Sequence, residues 1–143
     1  MVGIFIALLS GILMSVQGVF NTQVTKETSV WVTNVWVQLT ALLMCVLIWA
    51  VTDRSNVMTL SKVEPRYLLL GGVIGAFITL TVIQSMGAIG PAQAVMIIVI
   101  SQILSAYCIE LFGLFGADKV AFTWNKMGGL VIAIIGIVIF EWK

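Results

Sequence analysis

Long stretches without charge dominate the chain and predict membrane-spanning helices. No Asp, Glu, Lys or Arg occurs in residues 1–25 or in residues 28–52. A helix needs roughly 20 mainly apolar residues to cross a bilayer, so each stretch predicts one span. A third charge-free stretch, residues 67–109, is long enough for two more spans.

The dipeptide Gly90-Pro91 divides this third stretch. Gly-Pro is a strong turn signal, and proline suits the first turn of a following helix. The pattern therefore predicts a third helix over about 67–87 and a fourth over about 91–115. The polar segment 53–66 before them is long enough for a short surface helix.

A fifth helix is predicted over about 123–142. Its charge-free core, residues 127–140, is short for a span. Lys126, Glu141 and Lys143 would therefore have to extend their charged ends to the membrane interfaces. The expected fold is an all-α integral membrane domain, 1–143, with five transmembrane helices.

The basic residues favour one orientation of this bundle. Because five spans place the termini on opposite faces, the N-terminal side also receives the loops after the second and fourth helices. That side holds Arg54, Lys62, Arg66, Lys119 and Lys126, whereas the other holds Lys26 and Lys143. Cytoplasmic loops carry the excess of Lys and Arg, so a cytoplasmic N-terminus is favoured. The modest bias leaves insertion in both orientations open.

Composition agrees with a membrane protein and excludes several other classes. The chain is 61% hydrophobic and 9% charged, and its formal net charge of +1 provides no basic patch for nucleic acid. Histidine is absent, and Cys45 and Cys108 lie singly in apolar runs, so neither a metal site nor a cofactor is expected. No nucleophile beside a base is visible, so an enzyme is not expected.

Amide side chains are the candidates for binding a substrate. Gln17 and Asn21 are four residues apart, so they share a face of the first helix. Gln38, Ser101 and Gln102 lie at comparable depth on the second and fourth helices, near the midplane where transporter sites sit. We interpret these five residues as substrate-binding candidates. The alternative is that the amides bond one helix to another without a ligand.

Two further features concern coupling and assembly. Glu110 is the one ionisable residue clearly inside a predicted span, which makes it a candidate for proton coupling. Alternatively, its carboxylate reaches the interface or pairs with Lys119, Lys126 or Arg66. Small residues let helices approach closely in lipid, so Gly129, Ala133 and Gly136 on the last helix are a candidate dimer contact. Ordinary packing within one chain is the alternative.

Three segments of the chain are distinctive: they read GILMSVQGVFN from Gly11, LLLGGVIGAF from Leu68 and ISQILSAYCIELFGLFG from Ile100. With these segments the chain resembles the YdcZ-like family of the drug/metabolite transporter superfamily. The resemblance covers nearly the whole chain. It implies a five-helix half-transporter of the bacterial inner membrane that works as an antiparallel homodimer, or as a heterodimer with a related chain. The related small multidrug resistance exporters use a glutamate in the first helix, whereas this chain has Gln17 and Asn21 there.

We therefore expect a secondary transporter of a small polar metabolite, which works by alternating access across an antiparallel dimer and can be proton-coupled. Its partners would be the lipid bilayer, the substrate and the second chain. Two alternatives are a small ion channel inserted in both orientations and a membrane subunit that transports nothing. A channel would be expected to show a broken helix or a ring of charges or carbonyls along a pore, and no such segment stands out.

Overall fold

The computed structural model describes residues 1–142, with the backbone alone at Glu141. This part of the chain is 86% helical and contains no strand. The five α-helices are α1 (Val2–Glu27), α2 (Val30–Thr52), α3 (Gly71–Ile89), α4 (Pro91–Phe112) and α5 (Trp124–Glu141). The expectation of an all-helical fold is confirmed. Lys143 and the side chain of Glu141, both expected at an interface, lie outside the described residues.

Four of these helical segments are long and apolar enough to cross a bilayer. Within the described residues they are Val2–Glu27, Val30–Thr52, Arg66–Ile89 and Pro91–Phe112. The fifth apolar segment, Trp124–Phe140, is shorter. The chain is therefore a multi-pass membrane protein, and the role of α5 as a fifth span stays a prediction.

Hydroxyl groups close the turn between α1 and α2. Only Thr28 and Ser29 separate the two helices, and Ser29 Oγ accepts a hydrogen bond from Val32 N at 3.2 Å. Thr33 is 1% exposed, and its hydroxyl lies 3.0 Å from Thr25 Oγ1 and 3.1 Å from Thr28 Oγ1. The backbone N–H of Val32 and the buried hydroxyl of Thr33 thus find partners within the turn.

Two glycines set the ends of α4. Gly90, the single residue between α3 and α4, has φ 86°, which glycine adopts without the steric cost that a Cβ imposes. The predicted Gly-Pro boundary is confirmed. The prediction for the other end is wrong, because α4 ends at Phe112 rather than near Phe115. Gly113 adopts a left-handed conformation there (φ 64°), and its N–H bonds to Ile109 O as a C-cap.

The segment between α2 and α3 forms two short 3₁₀ helices, Val57–Lys62 and Arg66–Leu70. The first occupies the polar stretch where a short surface helix was considered. The second replaces the first turn of the predicted third helix, so α3 proper begins at Gly71 rather than at Tyr67.

Packing divides the chain into two compact units, Met1–Ala88 and Ile89–Lys143, which are described separately below. In the first unit, α1 approaches α3 at Gly18, which is buried. A Cβ at Gly18 would lie 2.5 Å from Cε and 2.6 Å from Sδ of Met86, a side chain that is 3% exposed. The missing side chain of Gly18 therefore makes room for Met86.

We predict that Gly18→Leu destabilises the first unit, because the added side chain occupies the position of Met86. Overpacking of this kind costs roughly 1–3 kcal/mol. Met86→Ala should recover part of the loss in the double variant, as measured by thermal unfolding in detergent. Gly11→Leu is the matched control, since no atom lies within 4 Å of a Cβ at Gly11. Equal loss of stability at Gly11 and Gly18 would contradict this packing.

Candidate functional site

A shallow groove runs along one face of α1 and includes two of the predicted site residues. Its volume is about 500 Å³, and its lining residues are Ser10, Leu13, Met14, Val16, Gln17, Phe20 and Asn21. All of them belong to α1, so this groove is an open surface of one helix rather than an enclosed pocket. Gln17 and Asn21 share a helix face, as their spacing predicts.

Gln17 lies deep in the apolar part of α1. It is ten residues from the end of the helix at Glu27, which corresponds to about 15 Å at the rise of an α-helix, or half the hydrocarbon thickness. The side chain is exposed, and its amide makes no hydrogen bond to any residue that the structure describes. Asn21 is 8% exposed and lies one turn nearer the helix end. The groove therefore presents an amide that makes no hydrogen bond among the described residues, about 15 Å along the axis from the end of α1.

Gln38 contributes to a different contact, between α2 and α3. Its Nε2 donates to Asn34 Oδ1 at 3.4 Å and to Thr79 Oγ1 at 3.3 Å. Asn34 is 8% exposed, and its Nδ2 donates to the carbonyl oxygen of Ala76 at 3.1 Å. Two amides and a hydroxyl thus link α2 to α3, which is the helix-to-helix role considered for Gln38. Gln38 Oε1 is the part of this amide that a ligand can still use.

Asn34 is the central residue of this network, and the sequence analysis did not include it among the candidates. The signal was present, since Asn34 and Gln38 are four residues apart on an apolar helix. Sequence alone does not tell which of two such amides is buried. The structure places Asn34 in the interior and Gln38 at its edge.

Ser101 and Gln102 belong to the second unit and lie on the exposed surface of α4. Ser101 Oγ donates to the carbonyl oxygen of Ile97 in its own helix at 2.9 Å. Gln102, like Gln17, is an exposed amide ten residues from the end of its helix. The substrate-binding role of these two residues stays a prediction.

Glu110 forms an ion pair at one end of α4. Its Oε2 lies 3.2 Å from Lys126 Nζ, and the two side chains are 47% and 44% exposed. Lys126 Nζ also lies 5.3 Å from the ring centroid of Tyr107. Lys126 is one of the three partners considered for Glu110 from the sequence. Exposed pairs contribute little stability, and the proton-coupling role of Glu110 stays a prediction.

The small residues proposed as a dimer contact lie on α5. Apart from the chain neighbours and the backbone of α5 itself, no atom of the described residues lies within 4 Å of a Cβ placed on Gly129 or Gly136, so both positions have room for an approaching helix. Gly129 and Ala133 also line a cavity between α4 and α5. The dimer contact itself stays a prediction.

Comparison with known families identifies the chain. Residues 2–139 match the model of a family whose description reads "Putative inner membrane exporter, YdcZ". The chain belongs to the YdcZ family. No curated protein and no solved structure matches it. Membership in the YdcZ family confirms the resemblance seen in the sequence. The family's description as an inner-membrane exporter agrees with a role in transport, and together with the long apolar helices it identifies a multi-pass inner-membrane protein.

We predict that Asn34→Leu weakens the contact between α2 and α3, because leucine keeps the branched shape of the asparagine side chain but forms no hydrogen bond. Hydrogen bonds between membrane helices contribute roughly 0.6–1.7 kcal/mol, and we expect a loss of that size in the free energy of unfolding in mixed micelles. Thr81→Val is the matched control on α3, because the Thr81 hydroxyl bonds only to Phe77 O and Ile78 O of its own helix. A loss as large in the control would contradict the role assigned to Asn34.

Proposed function

We propose that the chain is half of a secondary transporter that moves a small polar metabolite across the inner membrane by alternating access. The observation that carries this proposal is the free amide of Gln17 at mid-depth of α1. An amide without a hydrogen-bond partner costs several kcal/mol in hydrocarbon, so it has to face another protein surface or water. A solute pathway provides that environment.

The working unit is an antiparallel dimer. The groove at Gln17 is lined by α1 alone, so a second surface is needed to enclose a solute. Transporter sites commonly lie between repeats of opposite orientation, and five spans in one chain provide no internal inverted repeat. A second copy, or a related chain, inserted in the opposite orientation provides it. Gly129, Ala133 and Gly136 are the proposed contact.

Amide chemistry sets the class of substrate. Gln17 and Asn21 both donate and accept hydrogen bonds, and no charged residue lines their groove. This combination suits a neutral or weakly charged polar solute better than a bare cation. Gln38 Oε1 is the proposed contribution of α2, and Ser101 and Gln102 are the proposed contribution of α4. Glu110 is the proposed proton carrier if transport is coupled.

We predict that Gln17→Ala weakens substrate binding by up to about tenfold, the effect of losing one hydrogen bond worth roughly 0.5–1.5 kcal/mol. Gln17→Leu should weaken it more, because the added methyl groups also narrow the groove. Uptake of a panel of labelled metabolites into proteoliposomes measures both effects.

Gln23→Ala is the matched control, an exposed glutamine of α1 outside the groove, and should transport as the unaltered chain does. Equal flux for all three variants would contradict the assignment of Gln17. Ohmic current without saturable flux would favour the ion channel instead.

A further inference from the structure

The cavity between α4 and α5 carries chemistry beyond the amide groove proposed for the solute. Its volume is about 410 Å³. The lining residues are Ile103, Ala106, Tyr107 and Glu110 of α4, with Lys126, Gly129, Leu130 and Ala133 of α5. Polar groups occupy one end and small or aliphatic side chains the remainder. The cavity is thus amphipathic along its length.

Three groups converge at the polar end with hydrogen-bonding capacity to spare. Lys126 has three N–H donors, and the ion pair with Glu110 uses one of them. The Tyr107 hydroxyl accepts from Thr123 N at 3.2 Å, so its own hydrogen is available to a ligand. Glu110 offers further carboxylate lone pairs. Both charged side chains are about half exposed, so a ligand can reach them.

Lys126 and Glu110 carry opposite charges, so the polar end of the cavity has no net charge. This neutrality limits the kind of ligand that can bind there. Lys126 would attract an anion, and Glu110 would repel it. Glu110 would attract a cation, and Lys126 would repel it. A head group that carries both charges satisfies both residues, with its ammonium on Glu110 and its acidic group on Lys126 and Tyr107. Exposed ion pairs contribute little, so opening the pair to admit such a ligand costs little.

Aromatic residues place the polar end at the level of lipid head groups. Phe122 lies 6.5 Å from the ring of Tyr107 and 5.3 Å from that of Trp124, as centroid distances. Such aromatic clusters mark the membrane interface. From Lys126 the cavity continues along α5 to Ala133, a rise of about 10 Å toward the hydrocarbon. The acyl chain of a lipid would lie along that direction, because it also runs from the head groups into the hydrocarbon.

We propose that the α4–α5 cavity binds a phospholipid whose head group carries a primary ammonium beside its phosphate, with phosphatidylethanolamine as the test case. Pockets between membrane helices that hold basic residues bind lipid head groups. The primary ammonium donates hydrogen bonds to Glu110, which a quaternary ammonium cannot do. Glu110, Gly129 and Ala133 also have roles in the proposed transport function, so lipid retention and solute flux are measured separately to distinguish the two proposals.

The test is native mass spectrometry of the full chain, released from micelles that contain phosphatidylethanolamine, phosphatidylcholine or phosphatidylglycerol. We expect phosphatidylethanolamine to be retained roughly tenfold better than the other two, the effect of one charge-assisted hydrogen bond. Glu110→Gln should remove that preference, whereas Lys126→Gln should weaken retention of all three lipids, because each of them carries the phosphate that Lys126 would bind. Tyr107→Phe, which keeps both charges, should weaken retention of all three lipids.

Lys62→Gln and Glu64→Gln are the matched controls, since they remove the same charges from the exposed segment after α2 and should leave lipid retention unchanged. Equal retention of the three lipids by the unaltered chain would overturn the proposal, and so would an unchanged preference in Glu110→Gln or undiminished retention in Lys126→Gln. Displacement of the lipid by millimolar free leucine would assign the cavity to a soluble amino acid instead.

Discussion

Hydrocarbon offers no hydrogen-bond partner, and this constraint governs every polar side chain along the apolar helices. Hydroxyl groups satisfy it locally, by donating to a carbonyl oxygen one turn earlier in the same helix. Ser10, Ser15, Thr22, Thr40, Thr81 and Ser101 all do so. A hydroxyl inside a span is therefore weak evidence for a binding site in this chain.

A side-chain amide needs more hydrogen-bond partners than a hydroxyl group, because it carries two N–H donors and a carbonyl acceptor. Asn34 and Gln38 satisfy theirs across helices, through Ala76 O and Thr79 Oγ1, and so connect α2 to α3. Gln17 has no such partner among the described residues. The same residue type is thus structural on α2 and a candidate for solute binding on α1, and the difference lies in the neighbouring helix.

The sequence predicted the number, type and approximate limits of the α-helices, because the length of a hydrophobic segment and a Gly-Pro turn are both visible in consecutive residues. It placed the end of α4 three residues late, because a single left-handed glycine, Gly113, overrides the apolar residues that follow it. It recognised Gln17 and Asn21 by their spacing on one helix. It did not single out Asn34, or the cavity that holds Tyr107, Glu110 and Lys126, because both depend on contacts between residues distant in sequence.

Water accessibility at Gln17 tests the central claim most directly. In a chain whose Cys45 and Cys108 are replaced by alanine, Gln17→Cys would be treated with a membrane-impermeant thiol reagent in the native membrane. Leu42→Cys, an exposed apolar position of α2 at similar distance from the α1–α2 turn, is the comparison. The account predicts rapid labelling at position 17, little at position 42, and protection of position 17 by a transported solute. Equally slow labelling at both positions would contradict it.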